Sequence, residues 1–313
     1  MAEDNQTFGQ LIDPLRFAAA RDPEGQDWIA GLPGLVDLVC RQWGLDRDSG
    51  PIRHGYGAVV IPVQRGSESF VLKLAWPPQG MVVEARGLEV WDGRGMVRMA
   101  AADAGVGALL LERLDADRPL RSPPAMDAAR VAGRLLRRLA IPAPPGFRDA
   151  RTLVAGTARS LEAERGRPDC PVPVDWIETA LHHAHHLAKS AGTDRLIHAD
   201  LHYDNILAGT REPWLAVDPR PVAGEPEQAV PELLWTCVDD PDDNRGIRQI
   251  LAVLIESAGL DAERTRQWIV VRCVDYWMWG SEHGLTRDPE RCRGILQSVL
   301  REDRHVPAGF VGP

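Results

Sequence analysis

The sequence predicts an α+β fold of two lobes, a small β-rich N-terminal lobe with one inserted helix and a larger, mainly helical C-terminal lobe. Up to about residue 115, short apolar runs alternate with turn residues, a pattern typical of strands. Beyond that point the apolar residues recur at helical spacing. Residues 197–218 then place acidic and amide side chains around a short apolar hairpin. We therefore expect lobes at residues 1–115 and 116–313.

Composition and charge indicate the class of protein. The chain has 313 residues, 44% hydrophobic and 26% charged, a balance typical of globular domains with sizeable cores. A net charge of −9 and a pI of about 5.5 disfavour nucleic acid and anionic membranes as partners and favour a small cationic substrate. The five cysteines are scattered, the N-terminus is polar and acidic, and no apolar run reaches membrane-spanning length. We expect a cytoplasmic protein, a monomer or a weak dimer.

The N-terminal lobe is predicted from its apolar pattern. Apolar residues at spacings of three and four predict a first helix, which ends at Gly44. Two β-rich runs flank a Gly66-Ser67 turn, and a second helix and two further strands follow. The predicted helices are residues 28–43 and 81–91, and the predicted strands are residues 58–63, 70–75, 96–100 and 107–114.

The C-terminal lobe is predicted to be helical apart from one short hairpin that ends at Asp218. Its first helix ends at the proline-rich residues 141–146, which cannot continue a helix. The predicted helices are residues 125–139, 151–165, 174–191, 245–259, 261–280 and 288–301.

Candidate nucleotide-binding groups lie in the N-terminal lobe. Lys73 is on an apolar alternating run, and Glu84 follows on the next helix, nearer to the strand than Glu89. A lysine on a strand can bind nucleotide phosphates while a glutamate holds its ammonium group. Gly55 and Gly57 could offer backbone N–H groups to phosphate, or form a plain hairpin turn.

The run that ends the N-terminal lobe is a candidate adenine-binding linker. Here the main-chain groups of Glu112 and Leu114 could face the edge of an adenine ring. An interior strand is the alternative interpretation, and both can hold.

Residues 197–218 carry the candidate reaction chemistry. Asp200 is the candidate base for an acceptor hydroxyl, because phosphoryl transfer needs mainly positioning and charge stabilisation. Asn205 and Asp218 offer the oxygen ligands that Mg²⁺ prefers. His198 is expected to orient the loop rather than react.

Two metal-binding alternatives stay open. His198, Asp200 and His202 would share one face if they lay on a strand, which would suit zinc. His182 and His186 are four residues apart on a predicted helix, although an exposed helix face explains them as well.

Acidic and aromatic side chains are the candidates for an acceptor pocket that takes a cation. Individually they could equally be core or solvated loop. They are His202, Glu225, Asp239, Trp279 and Glu282.

The sequence resembles the aminoglycoside phosphotransferase family, and within it the streptomycin 6-kinase (aminoglycoside/hydroxyurea resistance kinase) branch. Residues 198–208 and 211–221 carry the resemblance, and shorter matching segments extend it from about residue 28 to at least residue 235. It implies a two-lobed protein-kinase-like fold and transfer of the ATP γ-phosphate to a hydroxyl of a streptomycin-like aminoglycoside.

By motif position the resemblance makes Asp200 the catalytic acid group. Asn205 and Asp218 become the Mg²⁺ ligands, and Lys73 becomes the phosphate lysine. Alternatives are a kinase for another metabolite or for hydroxyurea, and a non-catalytic kinase-like binding protein.

One departure from the family pattern follows Asp218. Relatives carry Gly-Asp-Pro and then a second acid that braces the catalytic loop, whereas this chain has Glu225 and, at the second position, Ala229. Glu225 or Glu227 is expected to compensate.

Overall fold

The computed structural model describes residue 19 and residues 23–300, which divide into two compact units. The first unit holds the described residues up to Ala116 together with Gly209–Leu215. The second holds Asp117–Ala208 and the described residues from Ala216 onward. The sequence pattern placed Gly209–Leu215 in the C-terminal lobe. In the structure this segment groups with the first unit, where Arg211 binds the carbonyls of Gly93 and Met96.

The first unit is built on a six-stranded antiparallel sheet preceded by a helix. The sheet order is β1-β3-β4-β6-β5, with β2 paired to β3. The helices are α1 (Pro23–Trp43) and α2 (Gln79–Trp91), and the strands are β1 (Asp46–Arg47), β2 (Arg53–His54), β3 (Ala58–Arg65), β4 (Glu68–Ala75), β5 (Met99–Asp103) and β6 (Ala108–Glu112).

The core of the first unit lies between α1 and the sheet. Leu32 and Val36 of α1 are fully buried together with Ile61, Leu72 and Leu74 of the central strands. Burial of these side chains is the main term that holds the helix on the sheet. Three consecutive residues of β4, Leu72, Lys73 and Leu74, are buried, so the lysine lies in the interior together with its apolar neighbours.

The observed elements of the first unit differ from the predicted ones in places. The third predicted strand begins at Met99 rather than at Met96. The carbonyl of Met96 accepts a hydrogen bond from Arg211. The strands β1 and β2 were not predicted, since each has only two residues and neither is apolar.

The second unit is mainly helical, as predicted. One helix, α6, was missed because it is short and carries Pro231 in its first turn. The helices are α3 (Ala125–Leu139), α4 (Ala150–Glu164), α5 (Val174–Ser190), α6 (Val230–Cys237), α7 (Asn244–Ala258), α8 (Ala262–Glu282) and α9 (Arg287–Leu300).

Short strands place the loops that matter for function. The antiparallel sheet β12-β9-β8 pairs Pro221 with His198 and so brings the two ends of residues 198–221 side by side. The short strands are β7 (Asp115–Pro119), β8 (Ile141–Pro142), β9 (Arg195–His198), β10 (Ile206–Ala208), β11 (Trp214–Ala216) and β12 (Pro221–Gly224), and 3-10 turns cover Tyr203–Asn205 and Pro226–Ala229.

Aspartates cap three helices of the second unit. The side chains of Asp149, Asp243 and Asp261 each accept from a backbone N–H in the first turn of α4, α7 and α8. None of the described helices is long and apolar enough to cross a bilayer.

Candidate active site

A buried ion pair lies in the sheet of the first unit. Lys73 of β4 is 6% exposed, and its Nζ is 2.7 Å from each carboxylate oxygen of Glu84 on α2. Glu89 of the same helix is exposed, so the geometry selects Glu84 as the partner. A buried charge pair is weak support for stability, because desolvation offsets most of its attraction. The pair therefore points to a role for the ammonium group beyond folding.

The glycines before β3 form a plain turn. The amide of Gly55 donates to the carbonyl of Ala58 at 3.0 Å, and the carbonyl of Gly57 accepts from Trp76 at 2.8 Å. The N–H of Gly55 is used inside the hairpin, which favours the plain-turn interpretation, and the phosphate contact stays a prediction. A Cβ at position 57 would lie 3.2 Å from the carbonyl oxygen of Trp76, which explains a glycine there.

Glu112 lies at the end of β6, and its side chain is held within the first unit. Arg211 donates from Nη2 to Glu112 Oε2 at 3.0 Å and also reaches the carbonyls of Gly93 and Met96. The amide of Glu112 donates to the carbonyl of Arg98, so an adenine contact at this residue would use its carbonyl. Sequence reasoning missed Arg211, whose many partners are far from it in sequence.

His198 connects the two halves of the candidate reaction loop. Its Nε2 donates to the carbonyl of Val217 at 2.9 Å, and its Nδ1 accepts from the amide of Asp200 at 3.2 Å. Complete burial lowers its pKa, and these two bonds need the neutral ring with the proton on Nε2. His198 thus fixes the main chain of Asp200 beside the residue that precedes Asp218.

The same bonds weigh against the zinc alternative. Asp200 and His202 lie beyond the end of β9, so they do not alternate on a strand with His198. Both ring nitrogens of His198 are already used. Within the part of the chain that the structure describes, no cluster of three or more His, Cys, Asp or Glu side chains could hold a metal ion.

Asn205 and Asp218 are the residues of this loop that could hold a magnesium ion. Asn205 Nδ2 donates to the carbonyl of Asp200 at 3.0 Å, so the amide oxygen is the atom with which Asn205 would bind a cation. The amide of Val217 donates to the carbonyl of Asn205 at 2.9 Å, which ties the two loops together. Asp218 is exposed and adopts φ 55°, a conformation that a non-glycine residue holds only under constraint.

The carboxylate of Asp200 is accessible and has a cationic neighbour. Its side chain is 26% exposed, and Oδ2 lies 3.1 Å from Nε of Arg220. Its main chain is fixed on both sides by His198 and Asn205. Asp200 therefore combines a rigid backbone with a carboxylate that a small molecule can reach.

Glu225 does not line an acceptor pocket, contrary to the prediction. Its carboxylate accepts from the amide of Gly192 at 2.8 Å, from Arg264 at 2.6 Å and from the indole of Trp268. These donors fix the carboxylate between the end of α5 and the start of α8.

The expected compensation for Ala229 also fails. Ala229 is fully buried, and Glu227 accepts from the amide of Asp261, so neither Glu225 nor Glu227 braces the loop around Asp200. Their bonds go instead to the N-terminal part of α8 and to the chain that follows α5.

A buried acid that the sequence did not reveal lies on α6. Glu232 is 4% exposed and pairs with Nη2 of Arg272 at 2.9 Å. Its Oε2 is buried without a hydrogen-bond partner among the described residues. Burial raises the pKa of this carboxyl, Arg272 opposes the rise, and the charge of Asp200 adds to it. Glu232 and Asp200 are thus in electrostatic reach of each other.

An aromatic stack runs along α8 toward its C-terminus. Tyr276 is stacked on Trp235 at 4.5 Å and on Trp279 at 5.6 Å, and Trp279 is stacked on His283 at 4.3 Å. Trp279 is 43% exposed. The Tyr276 hydroxyl donates to Asp288 at 3.1 Å, and burial raises the pKa of Tyr276, as do the charges of Asp288 and Asp200. The predicted residue Trp279 therefore belongs to a larger aromatic surface.

The remaining predicted acceptor residues are surface groups. Asp239 is exposed and lies 3.7 Å from Arg287, and Glu282 is exposed at the end of α8. His202 is half-buried, and its Nδ1 is buried without a hydrogen-bond partner among the described residues.

In the α5 histidine cluster, His182 and His186 are exposed, as expected for a solvent-facing helix.

Comparison with known proteins decides the family. The model of the aminoglycoside/hydroxyurea antibiotic resistance kinase family matches residues 42–284. The chain belongs to this family. It is 38% identical over 297 residues to the hydroxyurea phosphotransferase of Kitasatospora aureofaciens, covering 91% of this chain and 83% of the relative. It is 37% identical over 293 residues to the streptomycin 6-kinase of Streptomyces glaucescens, covering 88% of this chain and 92% of the relative.

Solved structures agree on the fold. A thermostable mutant of aminoglycoside phosphotransferase APH(4)-Ia, in complex with ADP and hygromycin B, superimposes with a TM-score of 0.58 at 14% identity, covering 88% of this chain and 99% of that one. The predicted protein-kinase-like fold and the predicted family are confirmed. As a member of this family, the chain is a phosphotransferase of the kinase class.

Proposed function

We propose that this kinase transfers the γ-phosphoryl group of ATP, with Mg²⁺, to a hydroxyl of a streptomycin-like aminoglycoside. The observation that carries the proposal is the accessible carboxylate of Asp200, on a main chain that His198 and Asn205 hold in place. Membership of the resistance kinase family and the relatives named streptomycin 6-kinase support the same reaction.

Asp200 is the group that handles the acceptor proton. The acceptor oxygen forms a bond to the γ-phosphorus while the bond from that phosphorus to the bridging oxygen breaks, which leaves ADP. The hydroxyl proton passes to the carboxylate of Asp200. His198 keeps this carboxylate in place without taking the proton, because both of its ring nitrogens are already bonded.

The other polar groups serve the phosphates. Asn205 and Asp218 would hold Mg²⁺, which neutralises charge on the phosphate oxygens when it is bound. Lys73, kept in place by Glu84, would bind the α- and β-phosphates. A metal ion with only two protein ligands suits Mg²⁺, since it keeps several waters and binds substrate phosphates.

A cationic acceptor fits the charge and the aromatic surface of the second unit. Trp279 offers an exposed indole, while Asp239 and Glu282 add negative charge near the ends of α6 and α8. Aromatic rings and carboxylates together bind guanidinium and ammonium groups. The buried Nδ1 of His202 is a further position for a polar group of the acceptor. A guanidinium-bearing aminocyclitol has this chemistry.

Hydroxyurea is the second candidate acceptor, because one relative at 38% identity is named hydroxyurea phosphotransferase. It is small and neutral, so it would not need the acidic and aromatic surface. The two acceptors therefore make different demands on Trp279 and Asp239.

A turnover assay separates these possibilities. The purified kinase is incubated with ATP and Mg²⁺ and with either a panel of aminoglycosides or hydroxyurea, and ADP release is measured together with the mass of the acceptor. We expect a mass gain of one phosphate on a streptomycin-like compound. Phosphorylation of hydroxyurea but of no aminoglycoside would make hydroxyurea the acceptor. ATP binding without phosphate transfer to any acceptor would contradict a kinase function.

A further inference from the structure

The guanidinium group of Arg220 lies against the candidate proton acceptor. Its Nε is 3.1 Å from Asp200 Oδ2, and its side chain is 71% exposed. Among the described residues, Asp200 is the side-chain partner that the structure records for Arg220. We propose that Arg220 is a further catalytic residue, which leaves Asp200 when substrates bind and stabilises the γ-phosphoryl group during transfer. The inference rests on the proposed phosphotransfer function.

The backbone of Arg220 is fixed while its side chain is not. The carbonyl of Arg220 accepts from the amide of Ala199 at 3.1 Å, and the next residue, Pro221, pairs with His198 in the sheet. Arg220 also follows Asp218 by two residues. The Cα atom is thus anchored between Asp200 and the proposed Mg²⁺ ligand, and rotation about the side-chain bonds can carry the guanidinium group several ångströms.

A structural role does not account for this contact. The main chain of Asp200 is already held by His198 and by Asn205. Exposed ion pairs contribute little to the stability of a protein, because water screens them. The arginines that do serve the architecture of the second unit, such as Arg264 and Arg272, pair with buried carboxylates instead.

The chemistry of transfer gives Arg220 two functions in sequence. While its guanidinium group holds Oδ2, that oxygen is a weaker base for the proton of the acceptor hydroxyl. Binding of the acceptor at Asp200 displaces the guanidinium group, whose N–H groups can then donate to the oxygens of the transferring phosphoryl group. Arginine exchanges no proton in this step; it stays cationic while the hydroxyl proton passes to Asp200.

The test compares Arg220 with a second exposed arginine whose partner is also an aspartate of residues 200–205. Arg121 pairs with Asp204 at 3.1 Å, and both side chains are exposed. In Arg220→Ala we expect kcat to fall by about 10²-fold, with KM for ATP within about threefold and an unchanged Tm, because the lost interaction is made in the transition state. In Arg121→Ala we expect kcat within about twofold of the parent.

Two further measurements identify the guanidinium group as the active part. Guanidinium chloride should raise the kcat of Arg220→Ala above that seen with sodium chloride at equal ionic strength, and should not raise that of Arg121→Ala. Arg220→Lys should have a kcat between that of Arg220→Ala and that of the parent. Lysine keeps the positive charge but lacks the planar set of N–H donors of the guanidinium group.

Several results would overturn the proposal. For Arg220→Ala these are a kcat within about threefold of the parent, or an effect confined to KM for the acceptor. A fall in kcat together with a lowered Tm would also overturn it. So would the absence of any increase in kcat with guanidinium chloride above the sodium chloride control. If the parent transfers phosphate to no acceptor, the proposed function fails. The same comparison of Arg220→Ala with Arg121→Ala is then made on slow hydrolysis of ATP, where water is the acceptor, and equal rates in the two variants overturn the inference.

Discussion

Residues 197–218 and residues 225–232 are both rich in acidic side chains, but the fold uses them in opposite ways. In the first stretch the main chain is fixed by hydrogen bonds, while the carboxylates of Asp200 and Asp218 stay accessible. In the second stretch the carboxylates of Glu225 and Glu232 are inside the unit and bonded to arginines.

We propose that this difference separates reactive acids from architectural ones. An acid that accepts a proton or binds a cation needs lone pairs that a substrate can reach. An acid that holds helices together uses its lone pairs on buried donors, and it is costly to remove because those donors lose their partners. The predictions below test this contrast, beginning with the largest effect.

Removal of the reactive charge at Asp200 should give the largest loss. In Asp200→Asn we expect kcat to fall by about 10³-fold, roughly 4 kcal/mol, because an amide cannot take up the acceptor proton. The control is Asp204→Asn, an exposed aspartate on the same loop, which should stay within about twofold of the parent. Steady-state kinetics at saturating ATP measure both. Activity of Asp200→Asn above one tenth of the parent, on the order of 1 kcal/mol, would remove Asp200 from its role.

Removal of the architectural charge at Glu225 should cost stability instead. In Glu225→Ala we expect the free energy of unfolding to fall by about 3 kcal/mol, because Arg264, Trp268 and the amide of Gly192 lose their acceptor. Glu263→Ala, which breaks the more exposed pair with Arg266, should cost less than about 1 kcal/mol. Urea unfolding measures both. If Glu225→Ala left the stability unchanged and raised the KM for the acceptor, Glu225 would be an acceptor-binding residue, as the sequence predicted.

The buried pair of the first unit should behave as a functional group. In Lys73→Met we expect kcat/KM for ATP to fall by about 50-fold, roughly 2.3 kcal/mol, because the phosphates lose a positioned cation. Lys189→Met changes an exposed lysine of α5 and should leave this ratio unchanged. A normal ratio in Lys73→Met, with lowered stability alone, would make the Lys73–Glu84 pair architectural.

The neutral state of His198 should appear as a pH dependence of stability. Its pKa in the folded protein is lowered by burial, so the unfolded chain binds more protons between that value and about 6.5. The free energy of unfolding should therefore fall as pH drops below about 6.5, by at most about 1.4 kcal/mol per pH unit from this group. His198→Gln, which cannot titrate, should show a shallower slope in urea unfolding from pH 7.5 to 5.5. Equal slopes in the parent and in His198→Gln would mean that protonation of His198 does not lower the free energy of unfolding.

The exposed aromatic surface should give the smallest effect. In Trp279→Ala we expect KM for a cationic acceptor to rise about fivefold, near 1 kcal/mol, with kcat and KM for ATP unchanged. Leu285→Ala removes an exposed apolar side chain just beyond α8 and is the control. An identical KM in both variants would place the acceptor elsewhere.

Much of the reaction loop could be predicted because its groups are close in sequence. His198, Asp200 and Asn205 lie within eight residues, and Asp218 follows one hairpin later. The pairing of Lys73 with Glu84 was also predictable, since a strand followed at once by a helix brings the two side chains together. Glu232, Arg211 and Arg220 were not found, because their partners are distant in sequence or depend on strand register.

The sequence by itself determined the fold class and the family, because periodicity and short-range spacing are local properties of the chain. Only the tertiary structure decided which acids remain accessible. Glu225 and Asp200 both carry carboxylates. The carboxylate of Glu225 accepts hydrogen bonds from Arg264 and Trp268 of α8. In contrast, the hydrogen bond from Asn205 goes to the main chain of Asp200 and leaves its carboxylate accessible. Burial and partner choice are set by packing between distant segments, and no local pattern encodes them.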